Sequence, residues 1–250
     1  MADSEIEFQR LLDEFVRDLE EALSLFSDEP VIFTAAELEG KMQLKLKQED
    51  CSPGRVRLRA NGEVLLGLSI KFDCTWDSKR SYLAIENSSF EVWPLARKRG
   101  EPLFRVEYVR EQNSHFPASH FHVHGHRDEF THLSGHAELE SRPSRKRVQR
   151  GVTSIPSLSE FHFSTGGPRF RPSLEDLLET LRVEFGLDVD QSKWKCQLKK
   201  GRAKWRKIQT AAAVRDSPQT AVDVLVEEHG LVLPEGWKPL SDNQNKLFQS

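Results

Sequence analysis

Only three cysteines occur in 250 residues, Cys51, Cys74 and Cys196, and they are too far apart in the chain to form a thiolate metal motif. An odd number also argues against a disulfide framework, so reduced thiols of a cytoplasmic protein are expected. No apolar run approaches the roughly 18 residues that span a bilayer, and no membrane association is expected. The first residues lack a basic segment followed by an apolar one, so no secretion signal is expected. No glycine-rich loop follows a strand and no βαβ rhythm appears, which argues against a Rossmann-type nucleotide site. Net charge is only −3, too small to set up a global field towards nucleic acid or lipid.

Histidine is what the chain has in concentration. Seven of its nine histidines fall between His115 and His136, and the centre reads His120-Phe121-His122-Val123-His124-Gly125-His126. A strand turns alternate side chains to opposite faces, so four imidazoles share one side while Phe121 and Val123 take the other. Such a row spans about 20 Å and cannot close on one ion. One chelating pair is therefore expected, His122 with His124, and the outer two in other roles. Phe161-His162-Phe163 repeats the apolar–His–apolar pattern, and Glu129 follows His124 by five residues. His122, His124, His162 and Glu129 are thus the expected ligands of a divalent metal ion, for which zinc, manganese and iron are all suited.

The organisation around this stretch is α+β: an N-terminal helix, a central antiparallel β-sheet or barrel, and a C-terminal helical group. Residues 1–28 carry apolar side chains at helical spacing, from Ile6 through Leu12, Phe15 and Leu19 to Phe26, with acids on the outer face. That face suits packing on the body or on a protein partner better than a membrane surface. Residues 29–165 switch to short alternating runs: Met42–Leu46, Val56–Arg59, Val64–Phe72, Tyr82–Ile85, Phe90–Leu95, Leu103–Val109, His120–His126, Thr131–Leu139, Gly151–Ile155 and Glu160–Phe163. Asn61-Gly62 is a hairpin signal. In residues 166–234, Ser173 with Asp176 forms a capping box and Gly186 a stop, followed by helices over 191–215, with a break expected at Gly201, and from Ser217-Pro218 to Gly230. Residues 235–250 read as a poorly packed tail.

Three resemblances accompany these patterns. His122-Val123-His124, Glu129 and Gly135, followed by Gly151, Ile155-Pro156 and His162, resemble the two cupin motifs, although the spacings depart by a residue and the second motif lacks a glycine and an asparagine. That likeness implies a small β-barrel holding a metal on two or three histidines and a glutamate. Leu103-Phe104-Arg105-Val106-Glu107-Tyr108 before a His-rich strand is similar to the sheet core of TumE-type toxins, without their usual Asp-Asn. It implies an RNase using His122 or His124 as acid or base. Phe163 to Gly167 with Ser173 to Glu179 resembles bacterial proteins of unknown function, which implies no chemistry.

Two basic segments are a second candidate site. Arg142 to Arg150 is one; the other contains Lys199, Lys200, Arg202, Lys204 and Arg206 between Trp194 and Trp205. Cations beside aromatics can contact phosphates and stack on bases, whereas a solvated helix face with its tryptophans in the core explains the same pattern. Gly166-Gly167 beside Arg169 and Arg171 suggests either an anion-binding nest or a plain strand-to-helix connection. The leading expectation is a metal-binding β-domain able to act as a metal-dependent enzyme. The alternatives are a toxin-like RNase or nucleic-acid-binding module, and a non-catalytic interaction protein docking through its N-terminal helix.

Overall fold

In the computed structural model, the residues described are 2–38, 41–46, 54–77, 82–94, 101–110, 117–125, 163–165 and 169–248. The architecture is α+β: an N-terminal helix, an antiparallel sheet and C-terminal helices. Helix α1 (Ala2–Ser24) is followed by β1 (Phe33–Leu38), β2 (Lys41–Leu46), β3 (Val56–Ala60), β4 (Glu63–Trp76), β5 (Leu83–Pro94), β6 (Phe104–Val109), β7 (Ser119–Val123) and β8 (Phe163–Ser164). Helices α2 (Leu174–Phe185), α3 (Trp194–Asp216), α4 (Pro218–Glu227) and α5 (Gln244–Leu247) complete the chain. None of the described helices is long and apolar enough to cross a membrane.

The strands pair in the order β1-β2-β4-β5-β6-β7-β8, all antiparallel. The 14-residue β4 is long enough to take two neighbours on one edge, β3 along its first half and β2 along its second. Between β3 and β4, Asn61 and Gly62 both have positive φ, 53° and 80°, the geometry of the tight hairpin turn that Asn-Gly favours. Asp188 braces this turn by accepting from the Asn61 and Gly62 amides at 3.1 and 2.8 Å. The segments Tyr82–Ile85 and Phe90–Leu95, expected as two strands, are one continuous strand, β5. Polar Glu86 to Ser89 hides that continuity: Asn87 and Ser89 pair with Asp73 and Lys71 of β4, and pairing resumes at Ile85 with Cys74 after a bulge at Glu86. Thr131–Leu139 and Gly151–Ile155 lie outside the described residues, as does most of Glu160–Phe163.

Alternation sends Leu66, Leu68, Ile70 and Phe72 of β4, Phe90 and Val92 of β5 and Val106 of β6 into one core. Helix α1 covers that face with Leu12, Leu19 and Leu23, joined by Phe26 just beyond its end, and Phe15 meets Phe72 edge-on at 5.0 Å. Its apolar stripe is therefore spent inside the fold, although Ile6 stays 70% exposed. Helix α2 adds Leu174, Leu177, Leu178 and Leu181, behind the predicted capping box at Ser173 and Asp176, and ends at Gly186 in the left-handed conformation. Helix α3 runs unbroken through Gly201, contrary to the expected break, because glycine lets the helix approach α2 closely. A Cβ there would meet the Glu175 carboxylate, lying 2.9 Å from Cδ and 3.1 Å from Cγ. Helix α5 sits in the tail, tied by a hydrogen bond from the Asn243 amide to the Asp216 carbonyl at 2.7 Å.

Candidate metal centre

Strands β6 and β7 carry the site, and alternation decides which side chains reach it. Val106 and Phe121 face the core, so Arg105 and Glu107 of β6 share the opposite face with His120 and His122 of β7. The register pairs Glu107 with His120 and Arg105 with His122 across the ladder. Further cross-strand partners extend the row to Ser89 and Lys71 on one side and Ser164 on the other. Both imidazoles are 3% exposed and stand edge to face, with ring centroids 4.8 Å apart.

The ligand atoms of Glu107, His120 and His122 all lie within 4.8 Å of one another, a group that could hold a metal ion. Glu107 Oε2 is 2.9 Å from His122 Nε2 and 3.5 Å from His120 Nε2. Two ligands on one ion at bond lengths near 2.1 Å stand about 3–3.5 Å apart, close to these two separations.

The tautomer of His120 sharpens the electrostatics. Its Nδ1 is 2.7 Å from the Pro117 carbonyl oxygen, which can only accept, so Nδ1 carries the proton. Nε2 is then the nitrogen left facing the Glu107 carboxylate, at 3.5 Å. This is the arrangement in which a backbone carbonyl orients a metal-binding histidine through its other nitrogen. Burial opposes ionisation of Glu107, but hydrogen bonds from His120 and His122 and the Arg105 charge outweigh it, holding the carboxyl well below its usual range. Arg105 Nε lies 3.1 Å from Glu107 Oε2, so a bound ion has to share that carboxylate with a guanidinium. A similar logic applies elsewhere on this face. Burial opposes ionisation of Asp73, yet the Asn87 and Gln43 amides hold it below the usual range.

Of the expected ligands, the structure brings only His122 into this group. Strand β7 ends at Val123, one residue short of His124. The His124 ring instead meets Glu101, Nδ1 to Oε2 at 3.0 Å, with Nε2 buried and lacking a hydrogen-bond partner among the described residues. The chelating pair on this strand is thus His120 with His122, one step back along the row. Glu129 and His162 lie outside the described residues, as do most of the residues that carry the cupin likeness. Glu107 precedes the histidines in sequence and reaches them only through the pairing of β6 with β7, so spacing around the histidine row does not reveal it. The usable signal was the charged alternation of Phe104-Arg105-Val106-Glu107-Tyr108 in the preceding strand, which an antiparallel hairpin sets beside the row.

The second candidate site is the basic helix, α3, helical as predicted. Trp194 is 7% exposed and Leu198 1%, so this end of the helix anchors in the core. Arg202 is paired with Asp176 and Glu179, and Lys204 with Glu14 and Asp18. Lys199, Lys200 and Arg206 remain exposed. Acids from α1 and α2 thus neutralise two of the five cations, which interrupts any continuous basic surface. Arg142 to Arg150 and Gly166-Gly167 lie outside the described residues. Cys74 is buried, which pushes its thiol up to about 12, and Cys196 is exposed. No protein-family model, curated protein or solved structure matches the chain.

Proposed function

We propose that this protein binds a divalent metal ion through Glu107, His120 and His122 and acts as a metal-dependent enzyme. The observation that carries the reading is the convergence of one carboxylate and two buried imidazoles, with ligand atoms all within 4.8 Å of one another. Two histidines and one carboxylate suit zinc, manganese or iron, and three protein ligands leave coordination positions open. Bound there, the ion would supply a Lewis acid and a water of lowered pKa. His162, next in sequence to Phe163 of β8, is the further ligand that the sequence supplies. Glu129 and His124 belong to the cupin-like alternative set.

Metal analysis of protein purified without a His-tag tests this directly, together with melting temperature in chelator at pH 7.5. Chelation should lower the melting temperature and zinc or manganese should restore it. Glu107→Gln and His120→Ala should abolish the response, and His229→Ala should retain it. If His124→Ala abolishes the response while His120→Ala does not, the cupin-like set is the ligand set. Metal-free protein indifferent to chelator and added metal sinks the reading.

A second reading uses the same residues for proton transfer, as the toxin-like resemblance implies. It is favoured by the 2.9 Å contact between His122 Nε2 and the Glu107 carboxylate, which would orient the imidazole as a general base or acid. It requires RNA cleavage that survives chelator and is lost in His122→Ala.

A further inference from the structure

Across the sheet from Glu107, a cavity of about 440 Å³ opens between α1, β5–β6 and α3. Small-molecule sites run from about 300 to 1,000 Å³. The arginines expected beside Gly166-Gly167 come to its wall: Arg169 and Arg171 line it together with Arg110 and Arg215. Arg171 is 8% exposed, its guanidinium stacked between the rings of Tyr108 at 3.6 Å and Trp205 at 4.6 Å. Burial pulls its pKa down to about 10, and the neighbouring Arg169 and Arg110 charges add to the pull. Arg215 reaches over Tyr82 on the same wall, 5.4 Å from the ring centroid.

The charge on these arginines is shared with carboxylates. Arg169 meets Asp216 at 2.6 Å and Arg110 meets Glu86 at 2.8 Å, while Glu14 and Asp18 are held by Lys204. Guanidinium groups gathered in one partly enclosed wall still focus positive potential into it. Gln209 adds an independent sign. It lines the cavity at 9% exposure, and its Oε1 is buried with no hydrogen-bond partner among the described residues. A buried acceptor left in that state is unfavourable, and a donor that reached it would relieve the cost.

We propose that this cavity binds a small, flat aromatic molecule carrying one acidic group and one hydrogen-bond donor. The acid sits against the arginines, the ring against Trp205 and Tyr82, and the donor meets Gln209 Oε1. The inference does not rest on the metal centre, which occupies the other face of the sheet.

Three probes separate the components in calorimetric titration of the full chain, with tryptophan fluorescence as a second readout. They are 6-hydroxy-2-naphthoate, 2-naphthoate lacking the donor, and 2-naphthol lacking the acid. The hydroxy acid should bind at least tenfold more tightly than 2-naphthol, with 2-naphthoate between them. Arg171→Gln should weaken the two acids by tenfold or more and leave 2-naphthol unchanged. Should that variant fail to fold, Ala211→Trp serves instead. Ala211 is exposed on α3 and lines the cavity, so the new ring should block the hydroxy acid without disturbing the helix. Equal affinity for acid and naphthol overturns the proposal. So does unchanged hydroxy-acid binding in folded Arg171→Gln or Ala211→Trp, or no response to any probe at millimolar concentration.

Discussion

Glu107 is an ion in a place that resists ions. Its side chain is 25% exposed, and among the described residues the two histidines and Arg105 keep it charged. Because its folded pKa lies below the ordinary 4.5, the stabilisation is fully present above that value and is lost as pH falls towards the folded pKa. Glu107→Gln in metal-free protein should therefore cost about 1.5–3 kcal/mol at pH 7, the worth of hydrogen bonds to a charged group. It should also flatten the acid limb of stability below pH 4.5. Urea unfolding of both proteins from pH 7 to pH 3 checks both parts; parallel acid limbs would show that the carboxylate is not so held. The histidine row was legible in the sequence as a face, since alternation is local. Which two imidazoles converge was not, because β7 ends at Val123 and the carboxylate comes from another strand.

Single glycines set two junctions between elements. Gly62 has φ of 80° with open space around a would-be Cβ, so only the backbone conformation resists substitution there. Gly62→Ala should cost about 1–2 kcal/mol in thermal or urea unfolding, from left-handed strain alone. Asp188→Ala, which strips the turn of its two hydrogen bonds, should cost about as much. The two losses should not add, because both act on one turn. At Gly201 the opposing effects are different. Alanine gains about 1 kcal/mol of helix propensity but has to displace the Glu175 side chain. Gly201→Ala should thus be stabilising in a Glu175→Ala background and at best neutral in the native one. A double-mutant cycle measures the difference, and strict additivity would mean that the Glu175 side chain yields freely. The capping box at Ser173 and the stop at Gly186 were readable because capping is a local matter of a few residues. The unbroken path through Gly201 was not, since its reason is the neighbouring helix.

At the scale of the molecule, α1 is bonded into the body from two sides. Leu12 and Leu23 are 1% and 0% exposed in the core, while Glu14 and Asp18 hold Lys204 of α3. The burial outweighs the ion pairs, which are exposed and worth at most about 1 kcal/mol. Leu23→Ala should cost about 2–5 kcal/mol, whereas Lys204→Met should cost under about 1. Denaturant midpoints rank the two, and a reversed order would mean that charge rather than packing holds the helix. One sheet then serves two faces. On β6, Glu107 belongs to the group that could hold a metal ion and its neighbour Tyr108 lines the arginine-rich cavity, so adjacent residues face opposite sides of the sheet.

The sequence alone determined what depends on neighbours in the chain. The α+β class follows from a change of period, the hairpin from Asn61-Gly62, the α2 ends from Ser173 and Gly186, and the imidazole face from alternation. Strand pairing and register were decided only by the tertiary structure. They set Glu107 against His120 and His122, turned His124 towards Glu101, and gathered Arg110, Arg171 and Trp205 around one cavity. The physical reason is range. Period and capping act over a few residues, whereas a ligand set or cavity wall is chosen by whichever strands and helices bury the same core.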